Sequence, residues 1–449
     1  MISTANSRSS VYLGTLILRD KETHEERITN EIKQFSGDEH ILLIGPTRSG
    51  KGRRVIAPNL ILDTTRSVLV VDPKGELAWW TSEHRKKTGH QVFYLDPFKE
   101  LAKHYPTLKA IAHGFNPLLA LDPQSPDFVD DAMSIAEALV MIESHDPHWS
   151  TSAQDLVAGL IMQERAENAK NPSLSNVRKV LIKSPDKISI MAANFCDHPL
   201  HEAIPSKLEK YRDAKGNKEL GSIISTAQTQ TRFLDSPLIA DSLSHGEIDF
   251  QKMKDERITI YLVIPPARIA THAKWLRLVV GSAVRGLQKT RRHTSKPDVM
   301  LVLDEFPQLG RMESIETSMA LNAGYGIKIF AIVQHLGQLQ HQYQGNWQTF
   351  LSGGAIASFA PRDDFTSKHL SDLAGQEMQE VMSRTISHDN KQTLSFNQQL
   401  LSVIQPVELR RMDEGRMLLF LPSNKGQRMS YTFAPDFSAL PEVNKHIRK

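Results

Sequence analysis

Cysteine is nearly missing from this chain: Cys196 is the only one among 449 residues. An intrachain disulfide is therefore excluded, and so is a metal centre of clustered thiolates. In Asn194-Phe195-Cys196-Asp197 the lone thiol reads as an ordinary half-buried side chain. Long apolar runs are lacking as well. No stretch approaches the roughly 18 uninterrupted apolar residues of a membrane span, and the best candidate, residues 258–264 (ITIYLVI), stops at Pro265-Pro266. The first ten residues, MISTANSRSS, hold no apolar signal core. The expectation is a soluble, cytoplasmic chain. Neither sign of charge dominates: 54 basic against 51 acidic residues leave +3, so any nucleic-acid surface must be local. Basic clusters occur at Arg85-Lys86-Lys87, Arg291-Arg292-His293 and residues 445–449. They have no interleaved aromatic residues on which bases would stack, and they read as solvated loops. There is no internal repeat and no low-complexity tract.

Hydrophobic residues make up 40% of the chain and charged residues 23%, which suits a globular protein with a substantial core. Short apolar runs recur at 41–44, 67–71, 92–95, 258–264, 299–303, 327–333, 355–359 and 417–421. Most are apolar throughout rather than alternating, as expected of strands covered on both faces by helices. Several lead through Gly, Pro or Asp into a helix-period segment, so the fold class is α/β with a mostly parallel sheet. Residues 125–220 break the alternation with helical segments and no convincing strand. Ser125-Pro126 reads as a helix start, and further helices are expected around Leu156–Ile161, near Ser175 and at Ser184-Pro185. The reading is an inserted all-α domain at 125–220 within an α/β domain formed by 1–124 and 221–449. Residues 383–397 (SRTISHDNKQTLSFN) are polar and read as a surface loop.

Chemistry concentrates at strand ends. Gly45-Pro46-Thr47-Arg48-Ser49-Gly50-Lys51 follows the run 41–44 and has the form of a phosphate-binding loop. Its glycines let backbone N–H groups turn inward around phosphate oxygens. The helix expected from Gly50 adds a partial positive charge, and Lys51 reaches the β and γ phosphates. The hydroxyl that usually follows the lysine and holds Mg²⁺ is absent, because that position is Gly52. Water, Thr47, Ser49 or Asp304 are the candidates to cover it. A second strand, Met300-Leu301-Val302-Leu303, ends in Asp304-Glu305. In this setting Asp304 is a metal carboxylate and Glu305 the general base that polarises the attacking water. Gln334, at the tip of the run 327–333, is placed to sense the γ-phosphate and pass hydrolysis to Gly337-Gln338-Leu339. Asp72 and Lys74 in VVDPKGEL belong to the same kind of carboxyl edge, without an assigned role. Arg362, Arg232 and Arg311 are candidates for a transition-state arginine supplied by a neighbouring subunit.

Taken in order, GPTRSGKG, VVDPKGEL, GFNPL (114–118), LVLDEFPQLG (301–310) and VQHLGQL (333–339) resemble the conjugative type IV coupling proteins of the TraG/TraD group. The resemblance runs from about Val11 to Pro422 and includes the helical insert and the element at 406–421. It implies a RecA-like P-loop NTPase domain plus an all-α domain, assembled as a hexamer when active. ATP and Mg²⁺ are the implied cofactors. The implied partners are DNA or a relaxase–DNA complex, protein substrates and the type IV secretion channel. Lys51, Asp304, Glu305 and Gln334 match the family's functional positions, and glycine is frequent there at the place of Gly52. Two features depart from relatives. Coupling proteins usually begin with membrane-spanning helices, whereas this chain starts almost at the nucleotide domain, so membrane association is expected through partners or through such helices. Arg53-Arg54 stand where small apolar residues are common. Two other readings remain open at this point: a nucleotide-regulated recruitment platform with little motor activity, and a related hexameric DNA pump outside secretion.

Overall fold

A computed structural model describes residues 10–20, 25–142, 147–212, 217–291, 296–352, 354–386, 392–423 and 426–448. Among them the strands are β1 (Val11–Arg19), β2 (Glu26–Phe35), β3 (Ile41–Ile44), β4 (Val68–Val71), β5 (Gln91–Leu95), β6 (Ile258–Leu262), β7 (Val299–Leu303), β8 (Ile327–Val333), β9 (Ala355–Ser358), β10 (Gln376–Ile386), β11 (Gln392–Ser402), β12 (Arg416–Ser423) and β13 (Gly426–Phe433). The chain divides into two compact units, Met1–Leu62 with Ala331–Lys445 and Asp63–Phe330 with His446–Lys449. Strand β8 passes from the second into the first.

In the first unit the strand order is β2-β1-β13-β12-β9-β3. Only β3 and β9 run parallel, from Ile41↔Ala355 to Ile44↔Ser358; β12 is antiparallel to both β9 and β13. All four residues of β3 are buried, and burying each such aliphatic side chain stabilises the fold by roughly 1.5–3 kcal/mol. That burial fixes the loop at the carboxyl end of β3. The helix Ala57–Leu62 beyond the loop is tied to β1 by Asn59, which accepts from Tyr12 N (2.7 Å) and donates to Tyr12 O (2.9 Å).

The segment read as a polar loop at 383–397 lies instead on a hairpin: β10 and β11 pair antiparallel from Gln376↔Ser402 to Ile386↔Gln392. Residues 387–391 fall outside the described residues. A polar composition hid the strands because both ladders are exposed on at least one face, with Met378 and Leu400 among the exposed apolar side chains.

In the second unit β5-β6-β4-β7 form a parallel array. Strands β4, β6 and β7 are buried along their whole length, as expected of strands covered on both faces. Between β5 and β6 the described residues contain helices and no strand, including Phe128–Leu139, Pro147–Glu167, Leu174–Leu181, Pro185–Asp197 and Lys218–Gln230. Ser173 and Asn217 cap two of them by accepting N–H groups of the first turn, the role for which short polar side chains are favoured. The first helix begins at Phe128 rather than at Ser125-Pro126, because Ser125 Oγ accepts from Asp127 N (3.2 Å) in a preceding turn. Asp131 on this helix is buried and takes Arg285 Nε at 2.5 Å from the helix Pro266–Gln288 and Lys289 Nζ at 2.8 Å from that helix's C-cap. The GFNPL motif contributes Asn116, which donates to Pro172 O at 2.8 Å and accepts from Leu118 N at 3.0 Å. Its role is to join the strand segment to the helices.

Two basic clusters are not solvated loops. Arg85 is fully buried near the end of the helix Glu76–Lys87, donating to Thr259 Oγ1 (2.9 Å) and to the carbonyls of Arg66 and Asp63. Arg448 docks 4.6 Å above the Trp79 ring and its N–H bonds Trp80 O. Residues 292–295 lie outside the described residues. Among the described residues no helix is long and apolar enough to cross a membrane.

Candidate active site

The first unit carries the phosphate loop and Gln334. Gly45 N donates to Val333 O (2.9 Å) and Ser49 N to Pro46 O (3.1 Å), closing residues 45–49 into a tight loop at the end of β3. Arg48 and Gly50 both have left-handed backbones (φ 66° and 81°), the local geometry that turns successive N–H groups toward one concavity. A Cβ on Gly45 would lie 2.9 Å from Ser49 Oγ, so a larger residue there would press on the serine. Ser49 Oγ is buried against it without a hydrogen-bond partner. Lys51 is half-buried at the head of the helical segment, and Gly52–Ile56 form a π-helical turn closed by Ala57 N–H bonding Gly52 O. π-Helical turns concentrate at functional sites.

Thr47 Oγ1 donates to Gln334 Oε1 at 3.3 Å, and Gln334 N donates to Gln338 Oε1 at 2.9 Å. The loop, the tip of β8 and the helix Leu336–Tyr343 are thus joined in one hydrogen-bonded chain. Of the four groups expected to replace the hydroxyl missing at Gly52, Thr47 is engaged by Gln334 and Ser49 is turned inward against Gly45.

The second unit carries the carboxylates. Val71 and Leu303 are register partners on the parallel neighbours β4 and β7, so Asp72 and Asp304 leave adjacent strand ends at one edge. Asp72 is buried and accepts from Ala78 N at 2.8 Å. Burial pushes its pKa up to about 7, against the pull of the Ala78 and Leu77 N–H groups, and the charge of Asp304 adds to the rise. Asp304 and Glu305 are half-buried. Asp304 Oδ1 accepts from Glu305 N at 3.0 Å, and Glu305 has a left-handed backbone (φ 54°). A non-glycine residue in that region is uncommon. Lys74, Arg232 and Arg311 are exposed, with Arg311 paired to Glu316 at 3.3 Å; Arg362, in the first unit, is exposed as well.

Each unit by itself offers residues that suit one part of a magnesium nucleotide. Backbone N–H groups and Lys51 suit phosphate, and the carboxylates of Asp304 and Asp72 are the hard oxygen donors that Mg²⁺ takes together with water. Among the described residues no cluster of His, Cys, Asp and Glu forms a dedicated metal cage. Sequence reasoning missed Asp436 and Glu414, which hold Arg53 and Arg54. They lie 383 and 360 residues away along the chain, and no local pattern announces them.

The family model described as "Type IV secretory system Conjugative DNA transfer" matches residues 4–434. The conjugal transfer protein TraG of Escherichia coli is 27% identical over 393 residues, covering 82% of this chain and 59% of that protein. Protein VirD4 of Rhizobium rhizogenes is 26% identical over 405 residues, covering 86% of this chain and 57% of that protein. The chain therefore spans less than two thirds of the length of either relative. The plasmid coupling protein TrwB in complex with ADP and Mg²⁺ superposes with a TM-score of 0.67 at 14% identity, covering 97% of each chain. TrwB in complex with a non-hydrolysable ATP analogue gives 0.66 at 14% identity, covering 95% of this chain and 94% of that one. The likenesses to TrwB establish the fold as the α/β fold of that coupling protein, a mostly parallel sheet with many helices.

Proposed function

The chain belongs to the type IV secretory system conjugative DNA transfer family, and from that membership and the two sets of strand-end residues we propose that it is an ATP-hydrolysing coupling protein. It recruits DNA, as a relaxase–DNA complex, or protein substrates and drives or licenses their passage through a type IV secretion channel. The observation that carries this reading is the chain Thr47–Gln334–Gln338, which links a phosphate-type loop to a strand tip and the next helix. A structural turn has no need of such a connection; a nucleotide sensor does. TrwB, whose fold is shared, has been seen with ADP and Mg²⁺ and with an ATP analogue.

In this mechanism backbone N–H groups of the loop other than those of Gly45 and Ser49, which bond Val333 O and Pro46 O, act with the ammonium of Lys51 to bind the phosphates and draw charge from the γ-phosphoryl group. Asp304 would hold Mg²⁺, which neutralises phosphate charge when bound. Glu305 orients the attacking water and accepts its proton as oxygen bonds to phosphorus and the bridge to ADP breaks, releasing phosphate. Gln334 changes partners when the γ-phosphate leaves, and Gln338 carries that change into its helix. One exposed arginine, Arg362, Arg232 or Arg311, acts on a neighbouring subunit in a hexameric ring. Light scattering with ATP and DNA checks the ring: species well above 50.5 kDa support it, and a strict monomer contradicts it.

The residue roles are tested with Glu305→Gln. This variant is expected to retain ATP binding and to lose turnover by about a hundredfold or more, the usual range for removing a general base. Loss of binding instead would make Glu305 a structural residue.

A further inference from the structure

We propose that Arg53 and Arg54 are positioning residues for the nucleotide loop, held by a latch on the segment that follows β13, with Asp436 as its key member. The inference rests on the reading of residues 45–52 as a nucleotide site. In the usual loop the residue after the lysine anchors the first turn by gripping the metal with its hydroxyl. Gly52 has no side chain to do so, and the turn it begins is π-helical. Lateral support comes from the next two residues.

Arg54 N donates to Gly50 O at 2.8 Å, and its side chain then crosses the same glycine. A Cβ on Gly50 would meet Arg54 Nε at 2.8 Å. The guanidinium continues to Ala434 O (3.0 Å) and Glu414 Oε1 (2.5 Å). Glu414 is 76% exposed, so that ion pair contributes little and the carbonyl bond is the firmer hold. Arg53 makes a two-pronged contact, Nε to Asp436 Oδ2 at 2.6 Å and Nη2 to Asp436 Oδ1 at 2.8 Å. This is the geometry in which a guanidinium binds a carboxylate most specifically. Its plane also lies 4.1 Å from the centre of the Phe437 ring.

Asp436 is itself set in place, since Oδ1 accepts from Ser438 N (3.0 Å) and Ser438 Oγ (2.7 Å). The Arg53 guanidinium, with the Ser438 bonds, holds the Asp436 carboxyl well below the usual carboxylate range. The latch is therefore ionised wherever the protein works. Both arginines are engaged by the protein, which answers why two cations can follow the loop: they brace its backbone.

The test is equilibrium binding of a fluorescent ATP analogue with Mg²⁺, alongside steady-state ATP turnover, for the full chain and for Arg53→Ala, Asp436→Ala, the double variant and the exchange Arg53→Asp/Asp436→Arg. Each single alanine variant is expected to weaken binding and raise KM about tenfold, the loss of one charge-assisted pair, with kcat within about twofold. The double variant is expected to be no worse than either single one, and the exchange to recover most of the affinity. Unchanged binding in the single variants, additive losses in the double, or an exchange that recovers nothing would each overturn the latch. A wild-type chain that binds no nucleotide would overturn both the reading of the loop and the latch that rests on it.

Discussion

Asp72 and His90 face opposite charge problems within one unit. Asp72 is buried beside the carboxyl edge with its pKa pushed up to about 7 from 3.8. His90 is buried between Thr64 O (3.0 Å), Thr259 Oγ1 (3.2 Å) and Arg85 Nη2 (3.3 Å). Arg85 can only donate, so Nδ1 accepts, and Nε2 carries the proton given to Thr64 O. Burial, with Arg85 next, pushes the imidazole down to about 4 from 6.5. The signs follow from proton counting. Between pH 3.8 and 7 the folded state holds the Asp72 proton more tightly, so this group makes stability fall as pH rises. Between pH 4 and 6.5 the unfolded state binds the His90 proton more tightly, so that group makes stability rise with pH. The two slopes oppose each other in the wild type. Asp72→Asn keeps the acceptor for Ala78 N–H, and its denaturation midpoint should climb more steeply from pH 4 to 7 than the wild type's. His90→Gln should do the reverse. Parallel curves for all three proteins would contradict the burial argument.

Elements differed in how plainly the sequence announced them. Strands β3, β4, β6, β7 and β8 are buried along their length, and their unbroken apolar runs are legible because both faces meet protein. β2 is largely exposed, while β10 and β11 satisfy their backbone groups through each other despite polar sequences. Such strands owe their existence to a partner distant in sequence, which no local period records. The candidate site divides the same way. Its loop, carboxylates and glutamine sit at the ends of legible strands, whereas the partners of Arg53 and Arg54 are single residues in connecting segments, Glu414 just before β12 and Ala434 and Asp436 just after β13. The loop makes a further demand at Gly50, where φ is 81° and a Cβ would press on Arg54 Nε. Gly50→Ala should destabilise the loop by roughly 1–2 kcal/mol, the cost of a left-handed L-residue, and weaken nucleotide binding about tenfold. Wild-type affinity in that variant would show that the loop has another acceptable backbone.

At the scale of the whole molecule, the net charge of +3 supplies no general attraction to nucleic acid, so any grip on DNA must come from local surfaces and fall with salt. The order of motifs along the chain, from GPTRSGKG to VQHLGQL, was what pointed to a family, because no single motif is specific. What composition and spacing could not convey was which loop hydroxyls are already engaged: Thr47 by Gln334, and Ser49 by its packing against Gly45. On the proposed reading, Gly52 leaves the metal to carboxylate and water, and the loop to the arginine braces proposed above. The central claim is that this loop turns over ATP in the service of moving DNA. The most direct measurement is ATP turnover of the wild type and of Lys51→Ala, with and without single- and double-stranded DNA at one stated salt concentration. The account predicts wild-type turnover that rises with DNA and is lost in Lys51→Ala under every condition; turnover unchanged by that substitution, or absent from the wild type with DNA present, would contradict it.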